Sequence, residues 1–347
     1  MKIALVTDFF MTGGGLEHIY QIASNMPDIE FGVFGKDGHG KDKFHKLSNV
    51  KIFSNGYSKN IVKTFDPDIV HIHSLRPLIK LYNTGIKTIF TIHGIHLHKY
   101  EFLQGIKPKI LKKIRFNLEK FLYNKVDKII TVSDDDKEFI KKYYNLDSTL
   151  IYNCIDYLPI AKIDISKEKL RKKLSFSLDK KIYLTVARFD FAKGYDILVD
   201  AVKILRDSRK IEDKLFIFVG NGYLFNEIKK QVSKYNLNNH IIFLGNRNDV
   251  YEIMKASDCF VLPSRWEGFS IALIEAMACN LPIVASDTYG NRCLKKLEND
   301  ITLFRVCDPL DLSKKIIDYK NANYSTLFTI EKMIQSLRSA YESIYNR

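Results

Sequence analysis

The chain opens on KIALVTD (2–8), an apolar run. MTGGGLEHIYQIASNM follows, where a glycine-rich turn leads into apolar positions at helical spacing. FGVFG (31–35), VKIF (50–53), DIVHIHS (68–74), KTIFTIH (87–93), KIITVS (128–133) and STLIYN (148–153) continue the series. These runs are rich in β-branched residues and lack clean alternation. That pattern predicts strands covered on both faces, as in a doubly wound parallel α/β sheet. From about 157 to 180 the pattern turns charged and helical (KEKLRKKL). A second strand series then begins with KIYLTVARFD (181–190) and runs through LFIFVGNG (215–222), HIIFLGN (240–246), CFVLPS (259–264) and PIVASD (282–287). The boundary is expected near 155–165. A last helix, from about 329 to 346, has Met333, Ile334, Leu337 and Tyr341 at helical spacing. The order suggests two Rossmann-like halves facing each other with a ligand between them.

At 347 residues the chain exceeds the roughly 250 at which single cores stop growing, so two domains are expected. No run of about 18 uncharged apolar residues exists to span a bilayer, and the first residues have the wrong flanks for a secretory signal. The five cysteines are odd in number, form no CxxC and mostly sit in apolar segments, which suggests free thiols in a reducing cytoplasm.

The net charge of +14 is unevenly placed. Residues 1–160 hold 23 Lys+Arg against 17 Asp+Glu, and residues 98–128 alone hold 9 against 3, so the remainder of that half is balanced at 14 and 14. Within 98–128, Ile106, Ile110, Ile114, Leu118 and Phe121–Leu122 form one helical stripe flanked by lysines. The expectation is that the stripe packs on the sheet while the lysines face an anionic membrane.

The stretch PSRWEGFSIALIEA (263–276) carries two glutamates eight positions apart. Strand-type runs flank it, and Ile271, Ile274 and Met277 recur at helical spacing, so strand, loop, helix and strand follow in order. Asn280 is placed at a left-handed helix end, with Pro282 beyond. Glu267 then lies in the loop and Glu275 on the helix. Eight helical residues rise roughly 12 Å, which argues against a glycosidase-style carboxylate pair. Two hydroxyl-binding carboxylates with an anion-receptive helix start between them suit a sugar nucleotide; a solvent-facing helix with one exposed Glu is the plain alternative. TVARFDFAKGYDIL (185–198) sets Arg188 and Lys193 in the loop after the first strand of the second half, cations suited to a diphosphate.

VARFDFAKG, VGNG, FLGN and EGFSIALIE, in that order and separation, resemble the GT-B retaining glycosyltransferases of family 4. The Gly13-Gly14-Gly15-x-Glu17 loop, DPDIVHIHS, TIHG, TVSDDDKEFI and IYNCID agree, so the likeness covers nearly the whole chain. The resemblance implies a GT-B fold, with an N-terminal acceptor domain over 1–157, a donor domain over 158–328, and the C-terminal helix (about 329–347) crossing back to the first. It implies that Arg188 and Lys193 hold the leaving diphosphate, Glu275 the ribose, and Glu267 the far hydroxyls of the donor sugar. Gly268, Phe269, Ser270 and Ile271 would meet sugar and phosphates. Asn246 and Arg247 would face the base, and Gly220 of VGNG would bind substrate. Gly14 and Gly15 would let the N-terminal loop approach the phosphates. His93 would sit where donor sugar and acceptor meet. Two departures are Cys154, where the family usually has glycine, and Ser270, whose hydroxyl is expected to cap the helix or touch ligand.

SDDD (133–136) contains a D-x-D, but Ser133 as N-cap with an acidic first turn explains it. His71, His73, His93, His96 and His98 could hold zinc, bind an acceptor or serve structure. The glycine loop lacks GxGxxG and no acidic residue ends the second strand, which argues against a nicotinamide enzyme, and no GxxxxGK(S/T) is present. The expectation is therefore a metal-independent, retaining glycosyltransferase without a cofactor. It would use a nucleotide diphospho-sugar, a UDP-sugar foremost, and a glycan or lipid-linked glycan acceptor, in bacterial surface polysaccharide or oligosaccharide synthesis. Its place would be the cytoplasm, at the inner membrane face. A sugar-nucleotide 2-epimerase is the competing enzyme, and a basic nucleic-acid binder the competing non-enzyme. The latter lacks interleaved aromatics, so no nucleic-acid partner is expected.

Overall fold

The computed structural model describes residues 1–11, 13–324 and 328–346. Thr12 of the glycine-rich turn and Arg347 lie outside them, as do residues 325–327. The chain divides into two compact units, Met1–Ile155 with Phe328–Arg347, and Asp156–Leu327.

The first unit holds a seven-stranded sheet: β1 (Lys2–Phe9), β2 (Glu30–Lys36), β3 (Val50–Phe53), β4 (Ile69–Ile72), β5 (Lys87–Ile92), β6 (Lys128–Thr131) and β7 (Thr149–Leu150). The strands lie in the order β3-β2-β1-β4-β5-β6-β7, and every pairing is parallel. Ala4, Val6, Phe34, Val70, Ile72 and Phe90 are all buried, as unalternated apolar strands require. The chain returns here at its end. Phe328 accepts a 3.2 Å hydrogen bond from the Ile155 amide, and the helix Ile330–Tyr345 buries Met333, Leu337 and Tyr341. Tyr341 Oη lies 2.8 Å from His71 Nδ1.

The second unit holds β8 (Lys181–Val186), β9 (Lys214–Val219), β10 (Ile241–Gly245), β11 (Cys259–Leu262), β12 (Ile283–Ser286) and β13 (Thr302–Phe304). Their order is β10-β9-β8-β11-β12-β13, again all parallel. β13 escaped the sequence reading because three residues carry too little periodicity. In both sheets the order reverses beside the first strand, between β1 and β4 and between β8 and β11. In open parallel sheets the strand ends at that reversal form a ligand crevice.

Several local expectations meet the structure. Ser133 Oγ accepts from the Asp136 amide at 3.1 Å, the cap read from SDDD, and Asn280 is left-handed with φ of 53°. All five cysteines are free thiols. Cys154 is not among the positive-φ residues, so its substitution for glycine stores no strain. Ser270 takes the N-cap position of the helix Ile271–Ala278, but its hydroxyl makes no capping hydrogen bond.

The largest correction concerns 98–128. The helix Ile106–Tyr123 forms, yet Ile106, Ile110, Ile114, Leu118 and Phe121 point to solvent instead of into the core. Glu119, Leu122 and Tyr123 face inward in their place. Glu119 accepts from Arg115 Nε at 2.7 Å and from Tyr144 Oη at 2.6 Å, and Phe116 stacks on Tyr144 at 4.8 Å. A polar and aromatic face anchors this helix.

Candidate functional site

The reversal between β8 and β11 brings two loops together. Asp190 Oδ1 accepts from the Lys193 amide at 3.2 Å, capping the short 3-10 turn Phe191–Lys193. Gly194 follows at φ of 65°, and a Cβ there would fall 2.1 Å from the Pro263 carbonyl oxygen. Only glycine fits at this closest approach. The loops then join through side chains. Lys193 Nζ donates to Glu267 Oε1 at 2.6 Å, and Ser264 Oγ donates to the same oxygen at 2.6 Å.

Arg265, which sequence reading missed, ties the two loops. Its amide donates to Ala192 O at 2.7 Å, and Nη1 donates to Phe191 O at 2.8 Å and to Asp196 Oδ1 at 3.0 Å. Its guanidinium also lies 4.0 Å from the Phe191 ring centroid. Gly290 was missed as well: a Cβ on it would lie 1.6 Å from Gly268 O, so it backs the turn after Glu267. The signal for Gly290 was a glycine opening the helix after PIVASD. Arg265 gave none, since its partners lie across the fold.

Arg188 is the more exposed cation and pairs with Asp190 at 3.1 Å. The two cations expected for a diphosphate are therefore each beside a carboxylate. Phe269, Ser270 and Ile271 are buried at the helix start, as is Gly268. A helix start leaves its first N–H groups without intrahelical acceptors and favours negative charge. Glu275 Oε1 accepts from Tyr251 Oη at 3.1 Å. Lys193 and Glu267 thus touch, while Arg188 and Glu275 hold other partners. Gly220 has φ of 127°, and a Cβ would sit 2.1 Å from Ala187 O. Its glycine is required by packing against the end of β8. Asn246 is exposed after β10, and Arg247 Nε donates to Asp249 at 2.8 Å.

In the first unit, Gly14 and Gly15 open the helix Gly14–Ser24, and a Cβ on Gly15 would meet nothing within 4 Å. Among the described residues nothing calls for glycine at 15.

The histidines converge differently from the sequence reading. His73 Nδ1 and His93 Nε2 are 3.1 Å apart, and His18 stands edge-on to His93 with centroids at 5.0 Å. His18, His73 and His93 present one nitrogen each within 4.8 Å of one another, a group that could hold a metal ion. His71 is spent on Tyr341 and on Thr91 Oγ1 at 2.6 Å, and His98 bonds Glu101 at 3.1 Å. Burial pushes the four central imidazoles toward neutrality: His71 down to about 3 and His93 to about 4. His18 and His73 are lowered too, first by burial and then by neighbouring imidazoles, with the Asn153 side chain opposing the shift at His18. His18 went unnoticed because its partners are more than fifty residues away.

Two all-parallel Rossmann-like units, each reversing its strand order beside its first strand, make up the GT-B fold. Comparison with known proteins gives the family. Residues 166–332 match the model of glycosyl transferases group 1, and residues 38–157 that of glycosyltransferase family 4. The *Escherichia coli* UDP-Gal:alpha-D-GlcNAc-diphosphoundecaprenol alpha-1,3-galactosyltransferase is 32% identical over 250 residues, covering 70% of this chain and 63% of that protein. An uncharacterized glycosyltransferase of *Methanocaldococcus jannaschii*, MJ1178, is 27% identical over 99% of each chain. Among solved structures, Anabaena Alr3699/HepE in complex with UDP and glucose superposes with a TM-score of 0.80 at 20% identity, over 99% of this chain and 100% of that one. The chain belongs to the family-4 type of GT-B glycosyltransferases.

Proposed function

We propose that this glycosyltransferase retains anomeric configuration as it moves a hexose-type sugar from a nucleotide diphospho-sugar, a UDP-sugar foremost, to a glycan or lipid-linked glycan, without a metal. The carrying observation is the contact of Lys193 with Glu267 across the β8/β11 reversal, beside the start of the helix Ile271–Ala278. In this reading a diphosphate competes with Glu267 for Lys193 and also draws on Arg188. Glu267, released, takes hydroxyls of the sugar. Gly268, Phe269, Ser270 and Ile271 meet phosphate and sugar, Glu275 grips the ribose, and Asn246, Arg247 and Gly220 border the base. Among the described residues no atom lies within 4 Å of a Cβ on Gly15, which suits close approach by a ligand, with Gly14 beside it. His93, held neutral by burial, receives an acceptor hydroxyl.

The chemistry follows from charge. The bond from the sugar's anomeric carbon to the phosphate oxygen breaks, and negative charge grows on the diphosphate, where Lys193 and Arg188 stabilise it. The acceptor oxygen attacks from the same face, and its proton passes to the departing phosphate oxygen. Neither glutamate serves as nucleophile.

The *E. coli* relative's name specifies a UDP-galactose donor and a diphosphoundecaprenol-linked acceptor. *N,N'*-diacetylbacillosaminyl-diphospho-undecaprenol alpha-1,3-N-acetylgalactosaminyltransferase of *Campylobacter jejuni*, 29% identical over 61% of this chain, names a second lipid-linked acceptor. These names support a role in bacterial surface polysaccharide or oligosaccharide synthesis; in this reading the enzyme works at the cytoplasmic face of the membrane, with peripheral contact through 98–128. Among the described residues no helix is long and apolar enough to cross a bilayer.

A thermal-shift screen against nucleotide diphospho-sugars, with product analysis for the best binder, tests the reading. Stabilisation by a UDP-sugar and acceptor-dependent release of UDP are expected. Conversion of the donor without any acceptor would favour the epimerase instead.

A further inference from the structure

Three histidines meet where the strand order of the first sheet reverses, between β1 and β4. His18 lies on the helix that follows β1, His73 just beyond β4 and His93 just beyond β5. Their ring centroids are 5.5, 5.0 and 5.4 Å apart. His18 is 1% exposed and His73 6%, while His93 is half-buried. Neither nitrogen of His18, nor Nε2 of His73, has a hydrogen-bond partner among the described residues. The Asn153 side chain stands near His18 but outside bonding geometry. Buried polar atoms are nearly always paired, so such orphans need a physical reason.

The arrangement of the nitrogens supplies one. His71 is committed to Tyr341 and Thr91, and it packs against the His73 ring with centroids at 4.1 Å, which holds that ring in place. His18, His73 and His93 each turn one nitrogen toward the others, all within 4.8 Å. Among the described residues no other three histidine, cysteine or acidic side chains converge in this way. A tetrahedral site with metal–nitrogen bonds of about 2.0–2.1 Å spaces its nitrogens at about 3.4 Å. His73 Nδ1 and His93 Nε2, 3.1 Å apart, already stand near that spacing. His18 completes the set by a shift on the order of 1 Å. An all-imidazole set favours zinc, cobalt or nickel over magnesium and calcium, which take oxygen ligands. The open edge of His93 gives an ion its way in and leaves a fourth position for water.

We propose that His18, His73 and His93 bind a divalent transition-metal ion of the zinc class through three imidazole nitrogens. The ion has no part in sugar transfer as read above, which gives His93 to the acceptor. On that reading ion and acceptor compete for one imidazole, and the ion inhibits transfer.

Titration with cobalt(II) tests the site, using the full chain free of any affinity tag and stripped with EDTA. The visible bands of four-coordinate cobalt should saturate at one equivalent, without the near-ultraviolet band of a thiolate ligand, and zinc should bleach them by displacement. Zinc should also raise the melting temperature, since only the folded chain assembles the three ligands. His18→Gln, and separately His73→Gln, should weaken cobalt binding about 10–100-fold, as loss of a metal-site partner does. Cys307→Ser, which removes the exposed thiol, should leave the spectrum unchanged. A wild type with no cobalt bands and no shift in melting temperature overturns the site and leaves the nitrogens to a bridging water. Binding that persists undiminished in both histidine variants overturns it as well, by putting the ion elsewhere. None of these readouts requires sugar transfer. Inhibition by zinc, relieved by excess acceptor, is expected in the transfer assay. Unchanged transfer with the ion site saturated would keep the metal site and remove His93 from the acceptor's path.

Discussion

Lys193 Nζ and Glu267 Oε1 lie 2.6 Å apart and join two loops that are 74 residues distant in sequence. The contact exists because β8 and β11 are sheet neighbours at the strand-order reversal, and because Gly194 lets the first loop press against Pro263. Both partners are largely shielded from water, with side-chain exposures of 21% and 9%. Removing one leaves the other's charge without its counterpart.

Lys193→Ala is therefore expected to lower turnover about 10²–10³-fold, the range typical for losing one charge-stabilising donor. Glu267→Gln keeps the shape and frees the lysine. It should bind UDP at least as tightly as wild type while losing discrimination among UDP-sugars. Titration of UDP and UDP-sugars against both variants checks this. A Lys193→Ala enzyme with near wild-type turnover removes the lysine from the reaction.

Arg265 supports that pair without touching it. Its guanidinium holds Asp196, the Phe191 carbonyl and the Phe191 ring at once, and the side chain is 10% exposed. Arg265→Ala should cost about 1–3 kcal/mol of stability, and it should loosen the turn carrying Lys193. Trp266 is the only tryptophan of the chain and stands 6.0 Å from the Phe191 ring, so its fluorescence reports this turn. A shifted emission maximum and a weaker response to UDP are expected. An unchanged spectrum with unchanged UDP affinity would show that the turn needs no such tie.

Gly290→Ala tests the backing of the Glu267–Gly268 turn. The added methyl would meet the Gly268 carbonyl at 1.6 Å, backbone on backbone, with no flexible side chain to give way. Overpacking of this kind costs about 1–3 kcal/mol. The melting temperature should fall and donor affinity should fall with it, whereas Gly15→Ala, whose methyl meets no atom of the described residues within 4 Å, should leave the fold intact. Equal melting temperatures for Gly290→Ala and wild type would contradict the close approach.

What the sequence disclosed and what it withheld divide along a physical line. Strand runs such as KIALVTD and KIYLTVARFD were legible because burial on both faces leaves a composition signature that needs no partner. The capping Ser133 and the left-handed Asn280 were legible for the same reason, since both depend on local chain geometry. Periodicity showed that Ile106, Ile110 and Ile114 share a face, but it cannot say whether that face looks inward. The direction is fixed by Glu119 reaching Tyr144, a contact 25 residues away. Arg265 and His18 were withheld likewise, because their partners come together only when strands from distant parts of the chain become neighbours. β13 was withheld for its shortness alone.

The histidine group predicts how stability depends on pH. His71 and His93 are depressed to about 3 and about 4, and His18 and His73 are also lowered, all chiefly by burial. An unfolded imidazole titrates near 6.5, so between about 6.5 and 4 the unfolded chain binds protons at His71 and His93 and the folded chain does not, with His18 and His73 shifted in the same direction. Their contribution is present in full above pH 6.5 and is lost as pH falls. Asp136 works the other way: burial raises it to about 7, so its share is present at low pH and lost as pH rises toward 7. The lowered imidazoles outnumber the raised carboxyls Asp136 and Asp200, so near pH 5 the unfolded state carries the excess of protons and stability should fall as pH drops. Melting temperatures from pH 7 to pH 5 should therefore fall steeply, and His73→Gln should make that fall shallower even if it starts lower. A wild-type melting temperature that holds level across this range would mean that the imidazoles are not buried neutral together.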